Sequence, residues 1–207
     1  MKLIGSLTSP FVRKIRIALI EKNIPFELMI DMPMNPDTKV PSYNPLGKVP
    51  VLIGDDDSIW FDSDLLLEYL ETLDLPRGVA QVPLLPQDRR AALPVRQTLV
   101  LADGVADAGV LIYLEKHRSA DKQDAKWVAR QRGKIERGLA ALDALAKNKT
   151  YLHGDVFSAA DIAVGCILQW LEFRLPELQW REQNPALVAL NARLSERPSF
   201  AETVPVA

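Results

Sequence analysis

The strongest constraint on this chain is the order in which short apolar runs and helix breaks follow one another over its first seventy-odd residues. Lys2 to Ser6 reads as a short strand, and Thr8-Ser9-Pro10 ends it. Pro10 suits the first position of a helix, where its missing N–H costs nothing, and Ser9 is the matching cap. Phe11, Ile15, Ala18 and Leu19 then recur at helical spacing as far as Asn23. Phe26 to Ile30 supplies a second strand, so strand, helix and strand form a parallel βαβ unit. A proline-rich loop from Met32 to Pro45 follows, with room for one short helix. Val51-Leu52-Ile53 and Ile59-Trp60-Phe61 flank Gly54-Asp55-Asp56-Asp57-Ser58, a hairpin around a solvated acidic turn. Asp62-Ser63 caps a last helix carrying Leu66, Leu67, Tyr69 and Leu70.

A parallel unit joined to a hairpin and closed by a helix predicts a thioredoxin-like α/β domain over 1–75. The stretch 75–86 holds Pro76, Gly78, Pro83 and Pro86 and reads as a linker. From 87 to 207 the pattern predicts an all-helical domain. Helices are expected over Arg89 to His117 and Asp124 to Ala146, then behind a capping box at Ser158-Ala159-Ala160-Asp161, and from Asn184-Pro185 to Pro198.

Composition excludes several classes. A net charge of −2 lacks the basic excess of a nucleic-acid binder. Arg13, Lys14 and Arg16 interrupt the place where a signal peptide would be apolar, and no run is read as near the roughly 20 apolar residues of a membrane span. The single cysteine, Cys166, allows no internal disulfide, so a cytoplasmic location is expected. His117 and His153 are too few for a histidine metal site, and neither a glycine-rich phosphate loop nor a GxSxG elbow is present.

Three segments carry candidate chemistry. At Ser9-Pro10-Phe11, a hydroxyl sits among the unpaired N–H groups and the positive dipole end of a helix, a setting that stabilises a thiolate. Ser9 either caps alone or caps while aiming its hydroxyl at a ligand sulfur. At Asn44-Pro45-Leu46-Gly47-Lys48-Val49-Pro50, the chain makes either an ordinary turn into a strand or a cis Val49-Pro50 bond. The cis form turns the backbone outward to pair with an extended, peptide-like ligand. Asp62-Ser63 either caps only, or grips an α-amino-acid end by N–H and O–H to its carboxylate and Asp to its ammonium.

In this order the three segments resemble the glutathione S-transferase family. Leu152-His153-Gly154-Asp155-Val156-Phe157-Ser158-Ala159-Ala160-Asp161 is similar to that family's helical capping motif, and Asn184-Pro185 through Arg197-Pro198-Ser199-Phe200 to its C-terminal helix. The resemblance implies glutathione as co-substrate, with no metal or redox cofactor. Ser9 would contact the sulfur, Val49 before cis Pro50 would pair with the cysteinyl backbone, and Asp62 with Ser63 would hold the γ-glutamyl end. It also implies a homodimer and a small hydrophobic electrophile, with Tyr113 and Phe200 as candidates for its pocket or for core. The activity implied is conjugation of the glutathione thiolate. The alternative is a non-catalytic glutathione-binding or regulatory protein. No tyrosine precedes Tyr43, Ser9 stands where thiol-bearing relatives place a cysteine, and Thr8 is a rival to Ser9 for the sulfur.

Overall fold

Strands form where the short apolar runs fall. In the computed structural model, which describes residues 1–74 and 83–205, these are β1 (Lys2–Gly5), β2 (Glu27–Ile30), β3 (Val51–Ile53) and β4 (Ile59–Phe61). They join in the order β2-β1-β3-β4, with β1 parallel to β2 and antiparallel to β3, and β3 antiparallel to β4. One rung crosses the whole sheet, pairing Met29 with Ile4, Ile4 with Val51, and Val51 with Phe61. Because side chains alternate along a strand, this rung faces one side, where Ile4 and Val51 pack with Val40 of the short helix α2 (Val40–Tyr43).

The opposite side carries Leu3 and Leu52, both fully buried, and Gly5. Helix α1 (Pro10–Glu21) presses on Gly5 so closely that a Cβ there would stand 2.4 Å from Val12 Cγ2. Only glycine permits that approach. Beside α1 runs α3 (Ser63–Glu71), with Leu66, Leu67 and Leu70 buried.

The sequence places an apolar face on Phe11, Ile15, Ala18 and Leu19. The structure buries more of α1, including Arg13 and Lys14, and also Lys22 just beyond its end. Each has a distant partner. Arg13 Nε donates to Thr203 Oγ1 at 3.1 Å and its Nη2 to the Phe200 carbonyl at 3.0 Å, with the guanidinium over the Phe200 ring. Lys14 meets Asp64 and Lys22 meets Glu71 on α3. At the far end of α1, Glu21 accepts two bonds from Arg197, at 2.9 and 2.6 Å, and one from Ser199 at 2.5 Å.

These contacts shift a boundary. The expected domains were 1–75 and 87–207, whereas the units found are Met1–Gln87 with Arg197–Ala207, and Asp88–Glu196. The segment after the last long helix, including α8 (Pro198–Ala201), packs on α1 because the buried guanidinium of Arg13 and the carboxylate of Glu21 require its polar groups. Phe200 is thereby a core residue of the first unit, 1% exposed, which removes it as a pocket candidate. The linker reading falls, for 75–82, outside the described residues.

The second unit is helical, with α4 (Arg89–Lys116) packed on α5 (Ala125–Ala146) and α6 (Ala159–Arg174), and α7 (Pro185–Ser195) on α5 and α6. Among the described residues α4 alone is long and apolar enough, by length and composition, to span a bilayer, contrary to the absence read from the sequence. Its buried side makes it a core helix here: Gly138 of α5 approaches it so closely that a Cβ would lie 2.3 Å from Val105 Cγ2. Ser158 and Asp161 form the expected capping box, and Asp161, fully buried, also accepts from Leu152 N at 2.8 Å. Asn184 does not cap α7 with its side chain. Asp143 of α5 does, accepting from the N–H groups of Ala186 and Leu187 at 2.8 and 3.1 Å.

Burial alone would raise the Glu21 carboxyl, but the bonds from Arg197 and Ser199 outweigh it and hold its pKa below the ordinary 4.5. The unfolded chain therefore takes up this proton first as pH falls. The stabilisation is whole above pH 4.5 and is lost as pH drops through the folded value. Glu21→Gln is expected to cost about 1–2 kcal/mol at neutral pH. In urea unfolding across pH 7 to 3, the gap from the parent protein should narrow toward the acid end; a gap independent of pH would contradict this account.

Candidate functional site

The register brings three chain segments to one end of the sheet. Ile4 opposes Val51, and Val51 opposes Phe61, so the exit from β1, the entry to β3 and the exit from β4 lie side by side. Those are the places of Ser9, Val49-Pro50 and Asp62-Ser63. Adjacent strands stand roughly 4.8 Å apart, so the three segments span about 10 Å.

Ser9 has extended backbone (φ −74°, ψ 125°) and caps α1, its Oγ accepting from Val12 N at 3.3 Å. An oxygen that accepts there keeps its own proton free to donate outward. Thr8 is half-buried in the turn before it, and Ser9 N closes that turn on the Ser6 carbonyl at 3.4 Å.

The Val49-Pro50 bond is cis. Pro50 is buried, and Val49, half-buried, rests on the Ile4, Val40 and Val51 cluster. What holds this loop is Asn44, 2% exposed. Its Nδ2 donates to the Lys48 carbonyl at 2.9 Å, its Oδ1 accepts from Leu46 N at 3.0 Å, and its carbonyl accepts from Gly47 N at 2.8 Å. Gly47 completes the turn at φ +61°, a region glycine enters freely.

Asp62 caps α3, with Oδ1 accepting from the N–H groups of Asp64 and Leu65 at 3.0 and 3.1 Å. Its φ of +78° is costly for a residue bearing a Cβ, a strain that clusters at functional positions. Oδ2 accepts no hydrogen bond from the described residues, and Ser63 beside it is buried at 4% exposure. The structure thus brings Ser9, Val49, Pro50, Asp62 and Ser63 together at one end of the sheet. The sequence reading included Asn44 without its role and missed Gly5 as the close-contact point. For Gly5 the signal is a glycine closing a strand directly before a helix.

The second unit holds a separate cleft of about 630 Å³ whose lining includes Thr98, Leu101, Val105 and Lys134, with His153 at its wall. His153 Nε2 lies 2.9 Å from Thr98 Oγ1, which itself donates to the Pro94 carbonyl at 3.1 Å. Burial, reinforced by Lys149, pushes the His153 pKa below 6.5, which favours the neutral ring. Tyr113 packs edge-on against Trp170 and under the Arg174 guanidinium. Cys166 is buried in α6. Among the described residues no three His, Cys, Asp or Glu side chains gather to hold a metal.

Residues 8–73 match the family described as glutathione S-transferase, N-terminal domain, and residues 125–190 that described as glutathione S-transferase, C-terminal domain. The chain is 42% identical over 205 residues to an uncharacterized GST-like protein, YibF, of Escherichia coli (strain K12), covering 99% of this chain and 98% of that one. Among solved structures it resembles a glutathione S-transferase from Methylobacterium radiotolerans in complex with glutathione sulfonate. That likeness has a TM-score of 0.92 and 43% identity, over 100% of this chain and 95% of the other. A glutathione S-transferase from Methylobacillus flagellatus with glutathione bound matches at TM-score 0.92 and 40% identity, over 99% of both chains.

Truncating the Asn44 amide leaves the Leu46 N–H and the Lys48 carbonyl without this partner. Asn44→Ala should therefore lower stability by about 2 kcal/mol. Urea unfolding measures it, and an unchanged midpoint would show that the loop stands without the amide.

Proposed function

Since this chain belongs to the glutathione S-transferase family, we propose that it binds glutathione across the end of its first-unit sheet and transfers the thiolate to a small hydrophobic electrophile. The observation that carries the reading is the spacing of the three segments. Two strand intervals make about 10 Å, and three residues of extended peptide span about 10 Å as well.

On this reading the cysteinyl residue lies beside Val49 and pairs with its backbone. The γ-glutamyl carboxylate meets the start of α3 and the Ser63 hydroxyl, and its ammonium meets Asp62, whose Oδ2 is available. The sulfur lies at the start of α1. Ser9 gives it a hydrogen bond rather than attacking anything itself: its oxygen accepts from Val12 N–H, which leaves its proton able to donate to the sulfur. The donor and the helix dipole stabilise the thiolate and the thiol proton passes to solvent; sulfur then bonds the electrophile carbon, and the displaced electron pair departs with a leaving group or, at an activated double bond, moves to the neighbouring atom and takes a proton from solvent. Neither a metal nor a redox group takes part.

The reading extends to a homodimer working in the cytoplasm, without a nucleic-acid or membrane partner. The net charge of −2 and the lone, buried Cys166 are in keeping with it, and the exposed Leu93 and Val100 of α4 offer a second copy an apolar face.

Calorimetric titration with glutathione and with S-methylglutathione tests the site. Binding in the micromolar to millimolar range, different for the two ligands, is expected; no binding at millimolar ligand would overturn the reading. Ser9→Ala should keep most of the affinity and raise the bound thiol's pKa by about 1–2 units, the worth of one hydrogen bond to a charged group. If Thr8→Ala moves the titration instead, Thr8 is the donor. Tight binding without turnover on a broad electrophile panel would make the protein a glutathione-binding module rather than an enzyme.

A further inference from the structure

Lys14 of helix α1 and Lys22, the residue that caps its end, lie on the side that meets α3, and both are almost wholly buried. Lys14, 2% exposed, gives its Nζ to Asp64 Oδ1 at 2.7 Å, and Lys22, 3% exposed, gives its own to Glu71 Oε1 at 3.1 Å. Eight residues separate the lysines and seven the acids, about two turns in each case, so the bonds run side by side between parallel helices. Their surroundings differ. Glu71 Oε1 also accepts from Leu84 N at 2.9 Å, so the Lys22 pair anchors later chain at the far end of the helices. The Lys14 pair lies at the near end, where both helices begin and where the candidate site is.

Lys14 follows Arg13, whose N–H donates to the Ser9 carbonyl at 3.0 Å, and its ammonium stands 5.9 Å from the centre of the Phe11 ring. Asp64 donates its own N–H to Asp62 Oδ1 at 3.0 Å. One ion pair therefore joins the turn that presents Ser9 to the turn that presents Asp62 and Ser63. An apolar pair would pack two helices as well without the penalty of burying an ammonium. What the ion pair adds is a single register between the helix starts and a fixed balance of charge between two places suited to anions.

We propose that the Lys14–Asp64 ion pair is the positioning link of the glutathione site, holding the sulfur-binding start of α1 and the γ-glutamyl-binding start of α3 in register. This rests on the reading given under Proposed function. Lys14 and Asp64 act through Ser9, Asp62 and Ser63 rather than on the ligand.

The charge balance supplies a test that simple loosening cannot imitate. Asp64→Asn removes one carboxylate charge beside the Lys14 ammonium and should lower the pKa of the bound thiol. Lys14→Met leaves the Asp64 anion and should raise it. For charges about 10 Å apart at the effective permittivity of a protein edge, each shift is about half a unit to one unit. Asp64 is about one-third exposed, so Asp64→Asn can be expected to fold even if Lys14→Met does not.

The thiolate absorbance of bound glutathione is titrated in the parent, Asp64→Asn, Lys14→Met and Lys14→Arg proteins, with affinity by calorimetry. Amide exchange of Val12 and Leu65, whose N–H groups bond to the two caps, is followed without ligand. Expected are shifts of opposite sign, at least fivefold weaker binding in both charge-removing variants, restoration by Lys14→Arg, and loss of protection at Val12 and Leu65 together. Shifts of the same sign, or parent-like titration and affinity, would overturn the proposal, as would unchanged exchange at either amide. If the parent itself binds no glutathione, the functional reading fails, and the register link is still decided by whether Val12 and Leu65 respond together in Asp64→Asn.

Discussion

The rung from Ile4 through Val51 to Phe61 is the constraint on which the candidate site of the first unit depends. It places one strand exit, one strand entry and a second strand exit at the same height. Each leads within a few residues to a helix start or a proline. A slip of one residue in β3 would turn Val51 away from the Val40 cluster and put Leu52 in its place, so burial on both faces of the sheet enforces the register.

Upon that base, α1 is held from three directions. The sheet takes Val12 against Gly5, α3 takes the two lysines, and the final segment of the chain takes Arg13 and Glu21. A helix so enclosed has little freedom to tilt, which would suit the role proposed for its first turn.

Much of this was legible in the sequence because it is local. Ser9-Pro10, the two three-residue strands about an acidic turn, Asp62-Ser63 and the Ser158–Asp161 box signal their structure within a few residues, and each formed where expected. The illegible parts depend on partners distant in sequence. The burial of Arg13, Lys14 and Lys22 has no local signal, since nothing nearby shows that residues 200–203, 64 and 71 await them. Asn184 looked like the cap of α7, yet Asp143, forty-three residues earlier in the chain than Ala186, takes that part. The positive φ of Asp62 has no pattern at all, because it reflects how β4 must turn into α3.

The return of the chain end to α1 has a consequence for how the protein is made. A ribosome releases the N-terminal βαβ unit, the hairpin and α3 long before Arg197 to Thr203 exist as polypeptide. Until then Arg13 and Glu21 lack the groups that bury them, so the first unit, though begun first, is finished last. Completion of the first unit is thus tied to synthesis of the segment that follows α7. A chain cut short anywhere in the helical half would lack the segment that covers Arg13 and Glu21 on α1.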